Sequence, residues 1–362
     1  MSDSASSFVL RALLVCATLA LFCVGVIAAQ TNSAPSAASP ASAVMREVTD
    51  GYGRAVRVPL NPSRIVSLAP SLTETLYALG VEDRLVGDTD YCDYPPDAQK
   101  KPKVGGVINP NLEQIAALHP DLVLLSKEGN MLDTVRALDT LGIPTYATDA
   151  HTIDQIISSV QKLADVLNAG SAGRALTDDL QLRLQTLQAK LNGVPPKRVL
   201  FIVWPEPLMS VGKGTFVADA LLRAGAASIV DSNQDWPQVN FEEVARLQPD
   251  YLVFAAAHTG AAGNDFESVA NRPGWQILDA VRQRRYAVVS EAIIRPAPRI
   301  VSVIEDLAHQ LHPEAFMEKP GTEKETPPAN ATPHIPPSNL QPQPAAYHLS
   351  AQDCQKESPC GR

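Results

Sequence analysis

Two carboxylates stand at the same place in two near-copies of one segment. Glu113 lies in Asn111-Leu-Glu-Gln-Ile-Ala-Ala-Leu-His-Pro-Asp-Leu-Val-Leu-Leu125, and Glu242 in Asn240-Phe-Glu-Glu-Val-Ala-Arg-Leu-Gln-Pro-Asp-Tyr-Leu-Val-Phe254. Six of the fifteen aligned positions are identical, at an offset of 129 residues. An acid in the first turn of a helix stabilises the positive end of the helix dipole. An exposed one can also hold a partner's arginine in a bidentate pair and fix its orientation. Both uses can hold at once, and the symmetric placement favours the second. Glu243 is a neighbour that could stand in for Glu242.

Other residues stand in loops where large apolar side chains call for a reason. Trp236 stands in a loop between Asp235 and Pro237, where an indole is costly to leave in water. Trp204 and Met209 flank a loop after a strand and could line one wall, although Met209 could equally fill core. Tyr91 sits in the loop Asp88-Thr-Asp-Tyr-Cys-Asp-Tyr-Pro-Pro96, either turned to a ligand or half-buried on its own lobe. His151 and His258 also follow strands; a neutral imidazole can ligate a metal, but a lone loop histidine is more simply solvated.

Enzyme chemistry finds less support. Gly212-Lys-Gly-Thr215 lacks the spacing of a phosphate loop, and no Gly-x-Ser-x-Gly elbow occurs. No Cys-x-x-Cys or Cys/His cluster suggests zinc. A net charge of −9 with no basic block argues against nucleic acid as a partner.

The elements that must position these residues follow from local pattern. In each repeat an Asn begins a helix at the N-cap, a proline ends it, and Asp leads into an apolar run that reads as a buried strand. Arg64–Ala69 reads as the first core strand, ended by Pro70; Ser71-Leu-Thr-Glu74 then reads as a capping box opening a helix to Leu79. A strand begins at Leu85. Further along come a helix over 131–141, a strand over 144–147, and helices over 152–168 and 172–191 with a break at Gly170. The second half repeats the plan, with strands over 198–203 and 286–289 and helices over 215–224 and 299–311. The fold class is therefore α/β: two doubly wound lobes, with helix 172–191 as the natural connector.

The ends read differently. An uncharged apolar run over 12–29 reads as a secretory signal peptide cleaved near Ala29, giving 1–29 as leader. Its 18 residues are also at the lower edge of a membrane anchor. Cys16 and Cys23 lack the small preceding residue of a lipidation signal. Residues 30–44 read as a flexible linker, and 318–362 as a disordered Pro-rich tail, an alternative route to a surface interaction protein. In that tail Cys354 and Cys360 are either a small disulfide or two unpaired thiols. The remaining division is an N-terminal lobe over 45–168, a connecting helix within 169–197 and a C-terminal lobe over 198–317.

Arg64-Ile-Val-Ser-Leu-Ala-Pro-Ser-Leu-Thr-Glu74, the Asp-Tyr-Pro-Pro at 93–96, Asn111-Leu-Glu113, Pro120-Asp-Leu-Val123 and Trp236-Pro-Gln-Val239 resemble the periplasmic cobalamin-binding proteins of ABC importers. These belong to the iron-siderophore and cobalamin binding-protein family. The resemblance spans roughly residues 60 to 312, in order. It implies two α/β lobes joined by one long rigid helix, with the ligand cleft between the lobes. It implies a non-enzymatic, periplasmic protein with no cofactor, which captures cobalamin or a related corrinoid and delivers it to the transmembrane permease. An iron-siderophore or haem is the alternative cargo. A siderophore would call for an arginine cluster, and only Arg295 stands out. The resemblance assigns Tyr91 and Trp236 to ligand packing and Glu113 and Glu242 to permease docking. It places Glu291 and Arg295 against the ligand's amide side chains; a surface ion pair is the plainer reading of those two. Val107 and Ser126 stand where cobalamin binders of this type often carry tryptophan, which bears on the ligand more than on the family.

Overall fold

The computed structural model describes residues 44–256 and 266–317. The leader, nearly all of the linker, the tail and His258 lie outside the described residues. Among those residues no helix is long and apolar enough to cross a membrane.

Two four-stranded parallel sheets carry the fold. In chain order the strands of the first are β3 (Ile65–Ser67), β4 (Leu85–Asp88), β5 (Leu122–Ser126) and β6 (Thr145–Thr148), laid out β4-β3-β5-β6. The second has β7 (Lys197–Ile202), β10 (Ala226–Ser228), β11 (Tyr251–Ala255) and β12 (Tyr286–Val289), laid out β10-β7-β11-β12. The two orders are the same. Each sheet is buried on both faces, because successive side chains in a strand point opposite ways. In the second sheet Val199, Phe201 and Val253 join one apolar cluster, and Leu200, Ile202, Leu252 and Phe254 join the other. The first sheet divides alike, with Ile65, Leu122 and Leu124 against Val66, Val123 and Leu125.

Two antiparallel hairpins escaped the sequence reading: β1 (Met45–Thr49) with β2 (Ala55–Pro59), and β8 (Trp204–Pro205) with β9 (Leu208–Met209). The strands are five and two residues long, too short for a pattern to stand out from loop.

The helices are α1 (Pro70–Ala78), α2 (Leu112–Ala117), α3 (Leu132–Thr140), α4 (Ile153–Val166) and α5 (Gly170–Leu191) in the first half. The second half adds α6 (Phe216–Arg223), α7 (Phe241–Leu247), α8 (Phe266–Ala270), α9 (Asp279–Arg282) and α10 (Ile300–Leu311). Gly170 is the first residue of α5, not a break. Pro70 likewise opens α1 at a position that needs no N–H, and no side chain caps that helix. The expected capping box is therefore absent, and Glu74 is turned to another use.

The repeat shows why its residues recur. Asn111 and Asn240 cap α2 and α7 through their side chains, at 3.0 Å to the Gln114 N–H and 2.8 Å to the Glu242 N–H. His119 and Gln248, one residue before the prolines, both take positive φ. Asp121 accepts the backbone N–H groups of Ser63 and Arg64, and Asp250 accepts that of Arg198. Arg64 and Arg198 in turn donate to carbonyls at the ends of α2 and α7. Each lobe thus ties the start of its first strand to the end of the helix that carries Glu113 or Glu242.

Both lobes draw apolar side chains from α4. Ile153, Ile156 and Ile157 of α4 pack in the second lobe's core, whereas Val160, Leu163 and Val166 pack in the first. Leu180, Leu184 and Leu187 of α5 also face the second lobe. A Cβ on Gly173 would meet that of Ala164 at 2.5 Å, so glycine lets the two helices close on each other. α4 thus contributes side chains to the cores of both lobes, and α5 packs against it. From the second lobe, Asp219 accepts the N–H of Ile153 at 2.8 Å and Arg223 pairs with Asp154 at 2.8 Å.

Candidate functional site

In a parallel α/β sheet ligands lie beyond the carboxyl ends of the strands, where the strand order reverses. Here that point falls between β3 and β5 in the first lobe and between β7 and β11 in the second. Across the two sheets, segments that follow the carboxyl ends of strands carry Tyr91 (after β4), Trp204 and Met209 (after β7), Trp236 (after β10), and Glu291 and Arg295 (after β12).

In the second lobe the loop after β7 and the loop before α7 are zipped together. Val239 N–H donates to Leu208 O at 2.8 Å, Ser210 N–H to Pro237 O at 3.0 Å and Gly212 N–H to Asp235 O at 3.0 Å. A Cβ on Gly212 would stand 1.8 Å from Gln234 O. The glycine of Gly212-Lys-Gly is therefore needed for loop contact. Trp204 and Met209 are cross-strand partners in the β8–β9 hairpin, and Met209 bridges to Gln238 in the segment that carries Trp236. Trp204 is 50% exposed, with its Nε1 donating to Glu206 O. Met209 and Trp236 are half-buried, and Trp236 packs on the lobe's core.

In the first lobe Tyr91 is 62% exposed in the loop after β4. Sequence reasoning missed what holds that loop. Lys103 Nζ donates to Asp88 Oδ1 at 2.8 Å, Cys92 O at 3.1 Å and Ala98 O at 3.2 Å. Burial lifts the Asp88 carboxyl to about 6, with Lys103 pulling the other way. Cys92 is buried, its Sγ 3.2 Å from the hydroxyls of both Thr73 and Thr89. Asn130 ties three loops together: its Nδ2 donates to Leu68 O and Val107 O, and its Oδ1 accepts from Ser126 N. Ser126 is buried at the end of β5.

The two lobes meet in an ion-pair network. Glu74 of α1, 4% exposed, accepts Arg299 Nε at 2.9 Å and Nη2 at 2.8 Å, and Arg295 Nη1 at 3.0 Å. Arg295 also donates to Asp93 at 2.8 Å and pairs with Glu291. Arg299 lies over the Tyr94 ring, 3.9 Å from its centroid. Burial works against the charge of Arg295, but Asp93 and Glu74 outweigh it and raise its pKa. Glu291 and Arg295 are thus in a half-buried network that crosses between lobes, not a surface pair. Glu74, Asp93 and Tyr94 lie in motifs that carry the resemblance, but neither they nor Arg299 had a site role in the sequence reading. Arg299 stands four residues after Arg295 in a Pro-rich segment, a spacing that the sequence reading passed over when it took Arg295 alone.

His151 sits at one flank, its Nε2 3.1 Å from Asp149 Oδ1. Glu128, in the loop after β5, is solvent-accessible yet hemmed in by protein, and burial raises its pKa, with His151 opposing and Asp235 adding to the rise. Among the described residues no three His, Cys, Asp or Glu side chains gather as metal ligands.

Glu113 and Glu242 lie in the first turns of α2 and α7, both exposed. Neither has an ion pair among the described residues, whereas Glu243 is held by Arg246 at 2.9 and 2.5 Å. Glu243 is therefore engaged where Glu242 is not.

Two α/β lobes with the same strand order, joined by ion pairs from Glu74 to Arg295 and Arg299, fit a two-lobed binding protein. The chain belongs to the periplasmic binding protein family, whose sequence profile matches residues 65–291. The vitamin B12-binding protein of Pectobacterium atrosepticum is 35% identical over 257 residues, covering 69% of this chain and 88% of that one. An uncharacterised ABC transporter substrate-binding lipoprotein, YvrC of Bacillus subtilis, is 30% identical over 280 residues, covering 75% and 87%. The crystal structure of the periplasmic vitamin B12 binding protein BtuF of Vibrio cholerae is similar with a TM-score of 0.62 at 29% identity, covering 72% of this chain and all of that one. The periplasmic haem-binding protein BhuT, in complex with two haems, gives a TM-score of 0.64 at 25% identity, covering 70% and 99%.

Proposed function

We propose that this protein captures cobalamin or a related corrinoid outside the inner membrane and delivers it to an ABC import permease, without catalysing a reaction. One observation supports the reading: Tyr91 of one lobe and Trp204 of the other are exposed in loops at the carboxyl ends of the sheets, with Met209 and Trp236 half-buried nearby in the fold. A corrinoid is a broad apolar ring fringed with amides, and such a ligand takes aromatic faces and a few polar partners. Likeness to vitamin B12-binding proteins supports it. Glu291 and Arg295 would meet the amide fringe, and Glu113 and Glu242 would pair with permease arginines. The apolar run at 12–29 would direct export, with residues 30–44 as a tether. The haem-binding neighbour supports the alternative cargo of an iron tetrapyrrole or chelate.

Calorimetric titration with cyanocobalamin tests the reading. Saturable one-to-one binding at micromolar or tighter is expected, weakened about tenfold by Tyr91→Ala or Trp236→Ala, since a buried ring adds on the order of 1 kcal/mol beyond its area. No binding of cyanocobalamin would reject the corrinoid and shift the ligand to haem or a siderophore.

A further inference from the structure

The cations around the cleft are already held by this chain's own carboxylates. Arg299 gives Nε and Nη2 to Glu74, and Arg295 gives Nη1 to Glu74 and Asp93 and Nη2 to Glu291. Two guanidinium groups therefore meet three carboxylates. Elsewhere on the cleft loops Lys127 pairs with Asp149 at 2.7 Å and Lys213 with Asp231 at 2.8 Å.

A ligand that carries carboxylates needs a cation. Taking one from this network would leave Glu74, 4% exposed, with fewer partners for a buried charge. The excess acid would also repel the ligand. A neutral, amide-bearing ligand meets no such obstacle, because it needs no cation and leaves the arginine–carboxylate pairs intact.

We propose that Glu74 is a specificity-determining residue: by holding Arg295 and Arg299 from across the lobe junction, it makes the cleft select neutral, amide-fringed ligands over tetrapyrroles or iron chelates that carry carboxylates. The inference rests on the corrinoid reading and narrows it. Glu74 acts through the two arginines, so it is a positioning residue and need not touch the ligand.

The test is titration of the purified wild-type protein and Glu74→Gln with cyanocobalamin and with haemin. Wild type should bind haemin at least about a hundredfold more weakly than cyanocobalamin. Glu74→Gln should narrow that gap about tenfold by gaining haemin affinity, and added salt should shrink the gain. A merely structural role would lower both affinities together. An unchanged gap in a folded Glu74→Gln variant overturns the inference, as does a wild type that binds haemin as tightly as cyanocobalamin. If Glu74→Gln does not fold, Asp93→Asn, at a more exposed partner of Arg295, should move the gap the same way by less, and no movement overturns the inference. A wild type that does not bind cyanocobalamin rejects the corrinoid reading; the haemin gain on Glu74→Gln still decides the role of Glu74.

Discussion

Replacing Arg299 by methionine should be among the most destabilising single changes at the lobe junction. Methionine keeps much of the stem's apolar packing and removes the charge. Of the three hydrogen bonds that Glu74 accepts from arginine, two come from Arg299, at 2.9 and 2.8 Å. Hydrogen bonds to charged groups are each worth about 1.5–3 kcal/mol, and breaking one side of a buried pair costs about 3–5 kcal/mol. The Arg299 side chain is 21% exposed, so water recovers part of that loss. A cost of about 3 kcal/mol follows, with the lost contact to Tyr94 inside that figure. For a domain of this size that is a fall in Tm of roughly 6–12 °C. Thermal and urea melts of wild type, Arg299→Met, Glu74→Met and the double variant measure it. The double variant should lose less than the sum of the singles, since it leaves no unpaired charge on Glu74 while Arg295 keeps Asp93 and Glu291. A Tm drop under about 2 °C for Arg299→Met, or strictly additive costs, would refute the reasoning.

Three further outcomes are expected. Gly212→Ala places a Cβ where Gln234 O stands, 1.8 Å away, so the zipped loops must part; cyanocobalamin affinity should fall about tenfold or more, and unchanged calorimetry would contradict a role of these loops in binding. Asp88 has a folded pKa of about 6 against an ordinary 3.8, so the folded state holds the proton more tightly and stability falls as pH rises from about 4 to 6. Asp88→Asn should flatten that decline, worth up to about 3 kcal/mol, in urea melts across pH 4 to 7; an unchanged slope rejects the assignment. Glu113→Ala combined with Glu242→Ala should abolish stimulation of the permease ATPase while cyanocobalamin affinity stays the same, and a retained ATPase response would remove the docking role.

The sequence by itself determined the periodic part of the protein. The repeat at an offset of 129 residues named two like lobes, and apolar runs after Asp121 and Asp250 named their central strands, because a strand buried on both faces needs unbroken hydrophobicity. Asn111 and Asn240 were legible as caps, since capping is a contact within one turn. Exposed rings such as Tyr91 were legible as loop residues, but not their posture, which depends on Lys103 reaching Asp88, Cys92 and Ala98. Glu74 read as part of a capping box because local spacing is all a short motif conveys. Its partners Arg295 and Arg299 lie 221 and 225 residues away. Likewise α4 read as a helix of one lobe, although its first turns pack in the other. Local chemistry is written in neighbouring residues; only the tertiary structure brings distant charges within 3 Å, where burial makes their pairing obligatory.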